Sequence, residues 1–152
     1  MQHSLARALE DLHAHVAESV LQLDESALRW QPVPGVGPVA DLIGRAVGVE
    51  RRWIAGGVAG EPSPEAGCGS GDDPPDLAGQ MLHQLGRTGQ ISQTILASLA
   101  PSEWASERAV AGEATTVAGC VLHVLEELAR TMGQIQLICQ LWDASHTKET
   151  AS

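Results

Sequence analysis

The stretch TVAGCVLHVLEELARTMGQI, Thr116 to Ile135, decides the fold class. Val117, Val121, Val124, Leu128 and Ile135 recur at steps of three, four or seven, and Ile138 continues the series. That is the period of a helix with one apolar side turned to a core. Thr115 or Thr116 is the expected cap, and Trp142 the approximate end. On the polar side His123, Glu127, Arg130, Thr131 and Gln134 stand at offsets 0, +4, +7, +8 and +11, one continuous stripe. Such a stripe ordinarily faces water; in a helical bundle it can also face a site between helices.

Working outward, the same period recurs three more times. Leu5, Leu9, Leu12, Val16 and Leu23 predict a first helix near residues 3–23, broken by Asp24, Glu25 and Ser26. The segment 31–38 carries three prolines and two glycines and cannot be helical. A second helix should begin at Pro38 or Val39, since proline is tolerated in a first turn. Leu42, Ile43, Ala46, Val47, Glu50 and Trp53 mark its inner side, and Ala55 its end. Residues 56–75, with six glycines and four prolines, read as a flexible crossover linker. A third helix is expected from Asp76, as N-cap, to Leu99, and residues 101–114 form a connection. The sum is all-α, a four-helix bundle in one domain, 1–143, with a polar tail at 144–152. The linker is long enough to let the second and third helices run parallel.

Composition narrows the function. In 152 residues, 43% are hydrophobic, so a core can form, and tryptophan is the sole aromatic type. A net charge of -10 argues against a duplex-DNA partner and against a polybasic membrane anchor. No apolar run approaches a membrane span, and the N-terminus has no secretory pattern. Three cysteines without a CxxC pair predict reduced thiols and a cytoplasmic location. His13 and His15, two apart on a helix, point about 200° apart and read as surface side chains. His83 reads as partly buried and hydrogen-bonded. Cys120 and Cys139 read as packing residues, and the glycine-rich run around Cys68 has acids on both sides, which disfavours anion binding there.

Three segments, ALRWQPVPG (27–35), VADLIGR (39–45) and VERRW (49–53), together with 116–135, resemble the DinB-like superfamily. The resemblance implies a four-helix bundle in up-down-down-up order, commonly dimeric, so a homodimer is expected. Apolar residues on more than one side of Gly133–Trp142 agree with that. It also implies a divalent metal, often Zn or Ni, held by one histidine on the second helix and two on the fourth. Known members include transferases and isomerases that use mycothiol or bacillithiol.

Carried over residue by residue, those three positions are Arg45, Glu127 and Thr131. A guanidinium has no lone pair to offer, and a threonine hydroxyl is a poor ligand. One carboxylate does not hold Zn or Ni against water. Even with His123 recruited, a dication 4 Å from Arg45 meets about 4 kcal/mol of repulsion per unit charge product at an effective dielectric near 20. No metal and no cofactor are therefore expected; a metal, if present, would lie near His123 and Glu127. An Arg45–Glu127 pair is expected to fill the vacated space. Three functions follow: a metal-free site taking a small polar or anionic ligand through Arg45, His123, Glu127, Thr131 and Gln134; an active transferase or hydrolase built on His123 and Glu127; or a structural dimerisation module.

Overall fold

The computed structural model describes residues 2–62 and 76–150, with side chains to Thr147. Five helices and one small sheet follow in order: α1 (Gln2–Leu21), α2 (Glu25–Arg29), α3 (Val39–Glu50), α4 (Leu77–Ser98), β1 (Glu107–Val110), β2 (Glu113–Thr116) and α5 (Val117–Thr150). The second, third and fourth helices expected from the sequence are α3, α4 and α5. The chain is mainly helical, as its periodicity requires. Among the described residues no helix is long and apolar enough to cross a membrane.

Several boundaries differ from the sequence reading, each for a local reason. Asp24 does more than break α1. Its side chain accepts from Ala27 N at 2.8 Å and so starts the short α2. The second helix does not stop at Ala55. After Glu50 it widens into a π-helix, Arg51–Val58, closed by Ala59 N donating to Ile54 O at 3.1 Å. Gly57 permits this widened segment to press on the hairpin, because a Cβ there would lie 2.5 Å from Val110 Cγ2. The connection after Pro101 is not irregular. It forms a 3₁₀ turn, Pro101–Ala105, and an antiparallel hairpin with Glu107 opposite Thr116 and Val110 opposite Glu113. The hairpin turn places Ala111 and Gly112 at φ 53° and 84°, the pair of positive values a two-residue turn demands.

Thr116 is the cap of α5, its hydroxyl accepting from Gly119 N at 3.1 Å. That helix continues through the polar segment beyond Trp142 to Thr150. Asp76 caps α4 as expected, accepting from Gly79 N at 2.9 Å. The greater part of the expected linker, residues 63–75 with Cys68, lies outside the described residues.

α1 packs on α4 and α5, and α3 packs on the same two helices. The interior falls into two apolar clusters. One joins Leu9, Ala46, Trp53, Ile54, Leu96 and the first half of α5, from Val117 to Leu128. The other joins Val16, Val20, Leu42, Ile43, Met81, Leu85 and the later Ile135 and Ile138. Each fully buried Leu, Ile or Val contributes roughly 1.5–3 kcal/mol of transfer free energy, so the aliphatic stripes alone hold the helices together. Between the clusters the polar side chains Glu50, Ser92, Thr88, Glu127 and Thr131 are buried.

Candidate functional site

Glu127 projects from α5 on the polar stripe, yet its helix neighbours bury it to 7% exposure. A carboxylate so placed needs donors for both oxygens. Oε1 accepts from Arg45 Nε, on α3, at 3.1 Å, and Oε2 accepts from Arg130 Nη1, one turn on, at 2.6 Å. The Arg45–Glu127 contact expected from the sequence is thus present. Arg45 reaches further: its Nη2 donates to Gln134 Oε1 at 3.1 Å. Its guanidinium therefore spans two turns of α5, from Glu127 to Gln134.

Thr131 lies on α5 between those two anchors, fully buried. Among the described residues, its Oγ1 is the buried side-chain oxygen without a hydrogen-bond partner. An orphaned hydroxyl of this kind costs about 1–3 kcal/mol. His123 is placed differently from the other stripe residues. Its ring stacks on Trp53 of the π-helix, with centroids 3.9 Å apart and planes 27° apart. The structure brings Arg45, Glu127 and Gln134 into one network, sets Thr131 beneath it, and turns the His123 ring onto an indole.

The electrostatics of this face are unusual for so acidic a chain. Two guanidiniums, with side chains 51% and 60% exposed, flank one carboxylate. Each has N–H groups beyond those that bind Glu127 and Gln134. The three side chains together carry one positive charge, open to water, with the exposed carboxylates of Asp41 and Glu126 four residues before Arg45 and Arg130 on the same helices. The same arrangement is poorly suited to a cation: both Glu127 oxygens already face guanidiniums. Among the described residues no group of three or more His, Cys, Asp or Glu side chains is placed to hold a metal.

Sequence reasoning missed a second polar cluster. Glu50, at the end of α3, is fully buried. Its Oε1 accepts from Ser92 Oγ of α4 at 2.5 Å, and its Oε2 is hydrogen-bonded to His13 Nε2 of α1 at 2.6 Å. His13 is therefore no free surface side chain; 12% of its side chain is exposed. Nearby, Arg51 Nε donates to the buried Thr88 hydroxyl at 3.1 Å. The signal was a glutamate in an apolar stripe, between Val47 and Trp53. A side chain of that type facing a core must have partners, but which ones depends on helix packing.

The two described thiols, Cys120 and Cys139, stand apart from both polar clusters. Burial pushes the Cys120 thiol above its ordinary range, only partly opposed by the Arg108 charge. Cys139 is raised too, by burial and then by the nearby Asp143 carboxylate. Neither is poised as a nucleophile, since the thiolate is the reactive form.

Among known proteins, a family model described as the DinB superfamily matches residues 4–135. That range spans α1 to the middle of α5, including Arg45, Glu50 and Glu127. No curated protein matches the chain.

Proposed function

Since the chain belongs to the DinB superfamily, we propose that its α3/α5 face is a metal-free variant of the family site and binds a small anion, a carboxylate above all. The observation that carries this reading is the pair of exposed guanidiniums on Glu127, one of them anchored at both Glu127 and Gln134. A planar carboxylate can accept two parallel N–H bonds from such a group, whereas a divalent cation would meet like charge. Supporting it, the three positions that would ligate a metal by family resemblance are Arg45, Glu127 and Thr131, and the carboxylate among them has both oxygens engaged. Glu127 here is the counter-ion that keeps the guanidiniums ordered, and His123 with Trp53 forms an aromatic wall on the adjoining turns.

The two apolar clusters support an up-down-down-up path for α1, α3, α4 and α5. The cluster containing Leu9 holds the start of α1 and of α5 with the ends of α3 and α4, and the other cluster holds the opposite ends. Leu137 and Leu141, one turn apart on α5 and 56% and 42% exposed, favour association of two copies. A monomer mass in solution at micromolar concentration would count against that association.

The decisive experiment is a titration of untagged protein with butyrate, followed by amide and guanidinium resonances, alongside metal analysis. Saturable shifts at Gln134 and the Arg45 Nε–H, lost in Arg45→Ala, are expected. Stoichiometric Zn or Ni that disappears in Glu127→Ala would overturn the reading and favour a metal-dependent enzyme.

A further inference from the structure

We propose that the groove between α1 and α4 is a second ligand site, taking a small primary ammonium. Its lining includes His13, which reaches back to the buried Glu50. His13 Nε2 is hydrogen-bonded to Glu50 Oε2 at 2.6 Å, and a neutral imidazole that donates from Nε2 presents Nδ1 as an acceptor. The same bond fixes the ring plane. Ser92, donating at 2.5 Å to the other Glu50 oxygen, holds that carboxylate in place. A histidine oriented from behind by a buried acid is pre-organised to meet a ligand with its second nitrogen.

Glycine at position 89 keeps this turn of α4 free of side-chain atoms against the His13 ring. A Cβ at Gly89 would lie 2.5 Å from His13 Nδ1 and 2.8 Å from Cε1, so any side chain on this turn of α4 would cover the ring edge. In front of it runs an open groove of about 660 Å³ lined by Glu10, His13, Gly89, Gln90, Gln93 and Thr94. Its lining includes several acceptors beside the amide donors of Gln90 and Gln93. Glu10 contributes an exposed carboxylate one turn before His13. Gln93 spends its amide N–H on Ala6 O at 2.9 Å, which leaves its carbonyl oxygen for a ligand. Thr94 gives its proton to Gln90 O at 2.9 Å and likewise keeps lone pairs.

An alkylammonium carries three donors and one positive charge. It matches His13 Nδ1, the Glu10 carboxylate and the Gln93 carbonyl, where an anion or a plain hydroxyl would leave acceptors unmatched. The net charge of -10 favours approach of a cation in general but does not choose among cations. Selection rests on the N–H donors.

The test is an NMR titration of the full chain with n-butylammonium chloride, read at the Gly86, Gly89 and Gln93 amides and the His13 ring. N,N,N-trimethylbutylammonium, with the same charge and no N–H, is the control. Saturable shifts with the primary ammonium, at least about tenfold weaker with the quaternary one, are the expected result. Glu10→Gln, an exposed change that leaves the buried cluster alone, should weaken binding about fivefold. Gly89→Ala should weaken it about tenfold or more. Absence of saturable shifts at the groove, or equal binding of the quaternary ion, overturns the proposal. So does unaltered binding in Glu10→Gln, which decides the matter if Gly89→Ala fails to fold. Butyrate binding at Arg45 is read at other residues, so either site can fail without the other.

Discussion

Two carboxylates, Glu50 on α3 and Glu127 on α5, are buried, each accepts two hydrogen bonds, and they are compensated in opposite ways. Glu127 is held by two guanidiniums that reach in from water. Glu50 is held by a serine hydroxyl and an imidazole inside the protein. The first arrangement leaves a surplus of positive donors at the surface. The second is closed within the protein and adds no guanidinium to the surface. Burial of an acid does not by itself say what a face will bind; the partners that stabilise it decide that.

The largest separation should appear in stability. Glu50→Ala removes the partner of two buried groups and leaves a void, so it should cost about 3–5 kcal/mol. Glu127→Ala, whose partners are solvent-exposed arginines, should cost about 1 kcal/mol or less. Urea midpoints of the two variants measure the difference, and equal losses would erase the distinction drawn here.

Next in size is ligand discrimination. Arg45→Ala should lower butyrate affinity about tenfold, the equivalent of roughly 1.4 kcal/mol, while Glu10→Gln leaves it unchanged. Calorimetric titration of both variants checks it; a similar loss in each would mean that general charge, not the α3/α5 face, governs the binding.

Thr131→Val should then raise stability by about 1 kcal/mol, because it replaces a buried hydroxyl without a partner by a methyl of similar size. Thermal unfolding reads the change. A loss instead would mean that the hydroxyl is satisfied when the protein is in solution.

The smallest effect belongs to Cys120, an apolar-core residue bonded to neither carboxylate. Its folded pKa is raised by burial, so its contribution to stability is complete below the ordinary thiol range and fades as pH rises through the raised value. Cys120→Ala should flatten the alkaline limb of the stability profile slightly, leaving the neutral region in place.

The helices were legible because they rest on spacing along the chain, and the Arg45–Glu127 contact because a family resemblance brings those two positions together. Apolar stripes identify a helix without knowledge of its neighbours, and Arg45 and Glu127 sit at positions that a family resemblance pairs. His13 was misread for the complementary reason. On α1 alone it is one of two histidines on different sides; its partner comes from α3, 37 residues away. Glu50 was in view, in the inner stripe of its helix, but its donors depend on how α1 and α4 pack. The hairpin was missed because ERAV and EATT are short and largely polar, with one buried residue, Val110, to mark a face.

One feature of the aromatic inventory has a practical side. The chain has four tryptophans and no tyrosine or phenylalanine, so all of its ultraviolet fluorescence is indole emission. Trp53 lies against the His123 ring at 3.9 Å, a turn from Glu127, while Trp30 and Trp142 pair at 5.5 Å at the far end of α5. A ligand bound at the guanidinium face, as proposed, should therefore change the emission of the indole stacked on His123. With Trp30, Trp104 and Trp142 replaced, the remaining indole would be a label-free optical gauge of that face.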